Sequence, residues 1–344
     1  MRPMRAPTRY TALNRSLLVC LVAAITLALG SPASCQDPDS SFVPSGDTVR
    51  LAFGWTAGLH GEVQLTRVRI DGSGPARADT STLRTTYSLA VSKVEDGLRV
   101  EVGDFKVPAI PESDETAAAI ALISSFSPSY VLSPGGDLLR LDGTEELVTR
   151  VRSMLDSMLT EGKLPAMKEA VDSLVSEEAL SAQLSEEWTA LVGAWLDAEL
   201  EVGSLYELET EEALPLPGNP VVPFKFEFGV IDRVPCDKED QTTSCVELVM
   251  RSFPDPDVMK QFMKQFLKDF TNSMRADRPE VPEMALRNLS VFSESVLVTS
   301  PETLIPRTLS ITKRVNGLVT SGGVEQPISQ TRKSYYVYSL TGGS

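Results

Sequence analysis

Long stretches of this chain alternate between apolar and polar residues with the period of two that is typical of β-strands. Residues 48–107 contain four such runs separated by turn-forming residues, with Leu51, Phe53 and Trp55 on the inward face of the first run. Because short turns join these runs, we expect them to form an antiparallel meander.

The same pattern returns later in the chain. Residues 129–143 predict a hairpin whose turn is Ser133-Pro134-Gly135-Gly136. Six further strands are predicted at 204–216, 224–234, 245–253, 289–300, 307–320 and 333–340. We therefore expect a mostly antiparallel sheet of ten or more strands, more than a flat open sheet usually holds.

In two segments between the predicted strands, apolar residues recur at the spacing of a helix. It predicts helices from Thr144, over about 163–175, over 176–200 and over about 257–274. Since strands and helices are segregated, we expect the α+β class: a large, curved, half-barrel-like sheet, mostly antiparallel, packed with three or four helices. Residues 47–344 would then be a single domain with helical insertions near 144–200 and 257–274.

Two helical stripes contain candidate cavity residues. Trp188 and Trp195 lie two turns apart and either line a ligand cavity or pack in the core. The stripe of the last helix is rich in methionine and phenylalanine, which can form an adaptable lid over an apolar ligand or simply seal the sheet. Its candidate cavity residues are Met259, Phe262, Phe266 and Phe270.

The first thirty-five residues have the pattern of an export signal. Four arginines precede the uncharged apolar run Ser16–Gly30, and small residues follow it. This run of about fifteen residues is shorter than the ~20 that cross a bilayer. We expect residues 1–35 to be a signal peptide and the polar residues 36–46 to be a flexible tether.

Cys35 leaves two alternatives open. Ala33-Ser34-Cys35 fits the cleavage site of a bacterial lipoprotein, in which Cys35 would carry the lipid, although Pro32 departs from that pattern. Alternatively, cleavage after Ala33 or Cys35 would release a soluble secreted protein. We therefore expect location in the periplasm or, through a lipid anchor, at the outer membrane, and otherwise secretion.

Two later cysteines predict a disulfide. Cys236 and Cys245 flank a polar, turn-forming stretch between two predicted strands, and disulfides persist in oxidising compartments. With Cys20 inside the apolar run, this pairing leaves Cys35 as the unpaired cysteine of the exported protein.

The charge argues against several function classes. The chain has a net charge of −15, and loss of the four N-terminal arginines leaves about −19. Such a protein is repelled by nucleic acid, so we expect no nucleic-acid partner. Residues 169–224 contain thirteen acidic residues and no lysine or arginine, which favours a solvated surface or, alternatively, a site for a basic partner.

Catalytic and cofactor motifs are missing from the sequence. His60 is the one histidine, and no P-loop, G-x-G-x-x-G turn, nucleophile elbow or H-E-x-x-H helix occurs. We therefore expect no metal, no cofactor and no enzyme activity.

Two segments and the predicted layout resemble known proteins. YVLSPGGDLLRLDG and VTSPETLIPRTLSITKRV are similar to stretches of a family of uncharacterised bacterial exported proteins. The layout is also similar to half-barrel lipid carriers of the LolA and LppX type. The export signal, the strand-rich layout and the missing catalytic motifs favour an exported, non-catalytic envelope protein of bacterial type that binds a hydrophobic ligand such as the lipid held by those carriers, or an envelope partner. The alternatives are a carboxylate-dependent hydrolase of envelope polymers and a structural or assembly lipoprotein.

Overall fold

A computed structural model describes residues 46–72, 79–106, 128–162, 177–214, 220–237, 244–277 and 284–342. The helices in this part are α1 (Thr144–Gly162), α2 (Glu177–Leu191) and α3 (Pro256–Asp277), with a 3-10 turn at Gly193–Trp195. The strands are β1 (Thr48–Arg50), β2 (His60–Asp71), β3 (Asp79–Val94), β4 (Gly97–Lys106), β5 (Ser129–Leu132), β6 (Leu138–Asp142), β7 (Glu199–Glu201), β8 (Leu205–Ala213), β9 (Val221–Pro235), β10 (Ser244–Pro254), β11 (Met284–Thr299), β12 (Pro306–Ser321) and β13 (Val324–Thr341).

The predicted α+β class is confirmed. Eleven strands form one open, curved sheet in the order β6-β5-β4-β3-β2-β13-β12-β11-β10-β9-β8, and every neighbouring pair is antiparallel. Two meanders therefore meet where β13 pairs with β2. This central pairing places the end of β13 beside the start of β2, with Thr341 opposite His60.

One face of the sheet carries the core. Alternation along β2 and β13 places Val63, Leu65, Tyr336 and Tyr338 on this inner face, where all four are buried. Because a strand turns successive side chains to opposite faces, the residues between them, Gln64 and Val337, face outward. Helices α2 and α3 contribute buried residues to the same core cluster.

Helix α3 packs on the second meander through the apolar stripe that the sequence predicted. Met259, Met263 and Leu267 are buried, and the helix contacts β9 and β11. Asp255 accepts hydrogen bonds from the backbone N–H groups of Asp257 and Val258 and so caps the first turn. None of the helices in the described ranges is long and apolar enough to span a membrane.

The first predicted strand is wrong in extent and partner. Only Thr48–Arg50 is a strand, and it pairs with β7 in a separate two-stranded sheet instead of joining the meander. The next residues bond to two different loops, since Leu51 N donates to Ala198 O and Gly54 N donates to Thr303 O. Leu51 and Trp55 are nevertheless buried, as the alternation predicted.

The helix predicted over residues 176–200 is too long. Helix α2 ends at Leu191, a 3-10 turn follows, and Asp197 adopts a left-handed φ of 55° that no α-helix continues through. The helix predicted at 163–175 lies outside the described residues. By contrast, the predicted hairpin of 129–143 is present as β5 and β6.

Candidate functional site

A small cavity lies between the inner face of the sheet and helix α2. Its volume is about 40 Å³, room for one or two water molecules or a few ligand atoms. From the described part of the chain, six aromatic side chains, five aliphatic ones and one carboxylate line it: Trp55, Tyr87, Tyr130, Trp188, Tyr336, Tyr338, Leu89, Val100, Val102, Leu191, Leu309 and Glu187. We call this the aromatic cavity.

Helix α2 forms one wall of the aromatic cavity. It presents Glu187, Trp188 and Leu191 to the cavity, because Leu191 lies four positions after Glu187 and three after Trp188, and residues at these spacings are neighbours on a helix surface. Tyr336 and Tyr338 come from the opposite wall, where the period of two in β13 points both rings inward and stacks them with centroids 6.2 Å apart.

Two tryptophans are held in fixed orientations at the cavity. The indole N–H of Trp188 donates to the Gly136 carbonyl, and that of Trp55 donates to the Leu304 carbonyl, both at 3.1 Å. The rings meet edge to face with centroids 5.4 Å apart. Both side chains are buried, so these bonds satisfy donors that would otherwise lose their hydration.

Gly136 shows how the hairpin turn supports this arrangement. Its φ of +96° lies in the left-handed region, and a Cβ at this position would come within 2.6 Å of the Phe53 ring. The turn is closed by Ser133, whose hydroxyl accepts from the backbone N–H of Asp137. The sequence Ser133-Pro134-Gly135-Gly136 therefore places the carbonyl that anchors Trp188.

Glu187 supplies the polar edge of the cavity. The hydroxyl of Tyr336 donates to its carboxylate with an O–O distance of 2.5 Å, and Arg67 Nη2 lies 3.6 Å from the same oxygen. The side chain of Glu187 is 37% exposed, so the carboxylate lies between the apolar lining and solvent.

The tyrosines of the cavity remain neutral at physiological pH. Burial, followed by the negative charge of Glu187, raises the pKa of Tyr130 and of Tyr336 well above the usual value. Burial likewise raises the pKa of Tyr338, with the neighbouring tyrosines adding to the effect. Their rings therefore act as apolar walls, and their hydroxyl groups can donate hydrogen bonds.

A second polar contact ties α2 to the sheet beside the cavity. Lys313 Nζ of β12 lies 2.5 Å from Glu186 Oε2, and the two side chains are only 13% and 12% exposed. Burial raises the pKa of Glu186, while Lys313 opposes the rise. Neighbouring glutamates of α2 thus reach different strands, Glu186 to β12 and Glu187 to β13.

Of the two tryptophans that were candidate cavity residues, only one contacts the aromatic cavity. Trp188 lines the aromatic cavity, whereas Trp195 does not. Trp195 lies in the 3-10 turn, is completely buried and donates its indole N–H to the Ala190 carbonyl at 3.0 Å. Its surroundings are those of a core residue.

The candidate cavity residues of α3 whose side chains are described lie away from the aromatic cavity. Met259 is buried in the core, and Phe262 and Phe266 are partly buried and stack on each other with centroids 6.3 Å apart. None of the three belongs to the cavity lining. The side chain of Phe270 and the whole of Cys35 lie outside the described residues.

The predicted disulfide is present. Cys236 and Cys245 are bonded, with a Cα–Cα distance of 4.8 Å, where β9 ends and β10 begins. Among the described residues, no group of three or more His, Cys, Asp and Glu side chains is arranged to hold a metal ion.

Several cavity residues were not identified from the sequence. Tyr336 and Tyr338 occur in KSYYVYSL, where the period of two already places them on one face. Tyr87 and Tyr130 belong to predicted strands as well, but only the sheet order brings them opposite α2. Glu187 carried no signal because it is one of thirteen acids in an acidic stretch.

Comparison with known proteins gives little further information. No protein-family model matches the chain, and no curated protein matches it. Among solved structures, the chain is similar to one described as "Lipid-protein interactions in lipovitellin", with a TM-score of 0.39 and 7% identity. The match covers 84% of this chain and 26% of that one, so the chain spans about a quarter of the other protein's length.

Proposed function

We propose that this chain is an exported, non-catalytic envelope protein that binds a hydrophobic molecule between the inner face of its curved sheet and helix α2. The observation that carries the proposal is the aromatic cavity. Apolar walls with a few placed polar groups are typical of small-molecule sites. Eleven of the twelve lining side chains are aromatic or aliphatic, and Glu187 is the single carboxylate among them.

The cavity volume defines how binding would occur. About 40 Å³ accommodates a few ligand atoms, so a longer chain requires α2 to move away from the sheet. The contacts that hold α2 there include three polar ones: Glu186 with Lys313, Glu187 with Tyr336, and Trp188 with the Gly136 carbonyl. Such contacts can be exchanged for water when the helix moves, which favours α2 as the mobile wall.

Among the described residues, a single carboxylate lines the cavity, which favours binding over hydrolysis at this place. Glycoside hydrolysis typically needs two carboxyl groups on opposite sides of the scissile bond. The neighbouring acid, Glu186, is engaged with Lys313 instead of lining the cavity.

Export is the second part of the proposal. It is supported by the N-terminal signal pattern and by the Cys236–Cys245 disulfide, because such bonds persist mainly in oxidising compartments. Attachment to a membrane through a lipid on Cys35 belongs to the same proposal. Intact mass of the mature protein tests it, since a diacylglycerol group adds a mass that simple cleavage does not.

A cavity-filling variant tests ligand binding directly. We expect wild-type protein to bind oleyl alcohol and Val102→Phe to lose most of that affinity, because Val102 lines the cavity. Val221→Phe makes the same substitution at a position that is 55% exposed at the start of β9, and it should bind as the wild type does. Equal binding by all three proteins would reject the aromatic cavity as the site.

A further inference from the structure

Three basic side chains lie side by side on the inner face of the sheet. In the antiparallel register, Arg332 of β13 is directly opposite Arg69 of β2 on one side and Lys313 of β12 on the other. Side chains in directly opposed positions of neighbouring strands point to the same face, with Cβ atoms about 5 Å apart. We call these three residues the basic row.

The basic row shares its face with the aromatic cavity. Arg332 lies four positions before Tyr336, and Arg69 four positions after Leu65, so the period of two keeps each pair on the same side. Four residues of extended strand span about 13 Å. An apolar chain with its end in the cavity could therefore run along the inner face and reach the basic row.

The positive charge of the row is not balanced within the described part of the chain. Arg69 Nε lies 2.7 Å from Asp71, and Lys313 pairs with Glu186. Arg332, between them, has no carboxylate of a described residue within 4 Å. Burial, followed by repulsion from Arg69, lowers the pKa of Arg332 to about 10 in spite of the attraction of the more distant Asp71, and Arg332 is still charged at neutral pH.

The basic row destabilises the folded protein unless a negative charge lies beside it. Like charges directly opposite each other destabilise a sheet, and a partly buried cation loses hydration that only a counter-charge replaces. The chain as a whole is acidic, with a net charge of −15, so its composition does not account for three cations in one row. A bound anion would supply the missing charge.

We propose that Arg332, flanked by Arg69 and Lys313, binds the anionic head group of an amphiphile, a carboxylate or a phosphate. The apolar part of that molecule lies toward the aromatic cavity. This inference rests on the proposed function and narrows it from any hydrophobic ligand to an anionic amphiphile.

Two ligands with the same hydrocarbon chain and different head groups distinguish the contribution of the head group to affinity from that of the apolar part. Oleate and oleyl alcohol are titrated at pH 8 into wild type, Arg332→Gln and Lys333→Gln, following intrinsic tryptophan emission. Lys333 is the matched control because it is the next residue of β13, faces outward and loses the same charge. Arg332→Lys is included to retain the charge, and thermal unfolding verifies that each variant is folded.

We expect wild type to prefer oleate by about tenfold, the contribution of a charge-assisted hydrogen bond. Arg332→Gln should lose this preference while binding oleyl alcohol unchanged, Arg332→Lys should keep part of it, and Lys333→Gln should keep all of it.

Four other results would overturn the inference. Equal binding of oleate and oleyl alcohol by wild type rejects the anionic head group but leaves the proposed function standing. Equal loss of both ligands in Arg332→Gln assigns Arg332 a structural role. Binding of inorganic phosphate or acetate alone, with no gain from the oleyl chain, indicates a site for free anions. If wild type binds neither oleyl ligand, the proposed function fails together with the inference.

Discussion

Tyr336 of the last strand donates its phenolic hydrogen to Glu187 of helix α2, with 2.5 Å between the oxygen atoms. The bond joins the two walls of the aromatic cavity at its polar edge. Glu186, one residue earlier, makes a separate contact to Lys313. Helix α2 is thus attached to two central strands through neighbouring carboxylates.

Removing the Tyr336 hydroxyl should loosen α2. We expect Tyr336→Phe to lower the free energy of unfolding by about 1–2 kcal/mol, less than the full value of a bond to a charged group because Glu187 is 37% exposed. Tyr338→Phe is the matched control, since its hydroxyl makes no hydrogen bond to a described residue. Urea denaturation measures both, and equal losses would contradict the role of the Tyr336 bond.

The buried pair Glu186–Lys313 should show strong coupling. Lys313→Met leaves a carboxylate buried without its partner, and we expect it to destabilise the protein by about 3–5 kcal/mol. Lys313→Met combined with Glu186→Leu removes both charges and should recover most of that loss. A double-mutant cycle by urea denaturation gives the coupling energy. Additive single effects would show that the two side chains do not interact.

Glu186 also predicts a dependence of stability on pH. Its pKa is raised above the ordinary value of 4.5 by burial. At pH values between 4.5 and the raised pKa, the native state binds more protons at Glu186 than the unfolded state does. The stability that protonation of Glu186 contributes is therefore complete below pH 4.5 and is lost as the pH rises through the raised pKa. The difference in unfolding free energy between wild type and Glu186→Gln, measured across this range, isolates the contribution. A difference that does not change with pH would contradict it.

Tryptophan emission should locate the ligand. The chain has three tryptophans, of which Trp55 and Trp188 line the cavity and Trp195 does not. We expect oleyl alcohol to change the emission of wild type and of Trp195→Phe equally. Trp55→Phe combined with Trp188→Phe should abolish the change. If the signal instead depends on Trp195, the ligand binds elsewhere.

Much of the sheet could be predicted because its signals are local. The meander β2–β4, the hairpin β5–β6 and the strands β8–β13 follow from alternation and turn residues that are adjacent in sequence. The pairing of β13 with β2 and that of β1 with β7 carry no such signal, since they join residues far apart in the chain. Both depend on how the two meanders pack around the helices.

The candidate site was only partly predictable for the same reason. The helical stripe identified Trp188, but it included Trp195 because apolar spacing does not show that the helix ends at Leu191. Tyr336 was recognisable as an inward-facing residue of its strand. Its partner Glu187 was not, because the contact requires α2 to lie across β13.

Native mass spectrometry of the protein purified from its own host tests the central claim most directly. Binding of a hydrophobic molecule in the aromatic cavity predicts a bound amphiphile that is released by organic solvent, carries an anionic head group and is absent from Val102→Phe prepared in the same way. The account would be contradicted if wild type showed only the mass of the polypeptide and also bound neither added oleyl alcohol nor added oleate.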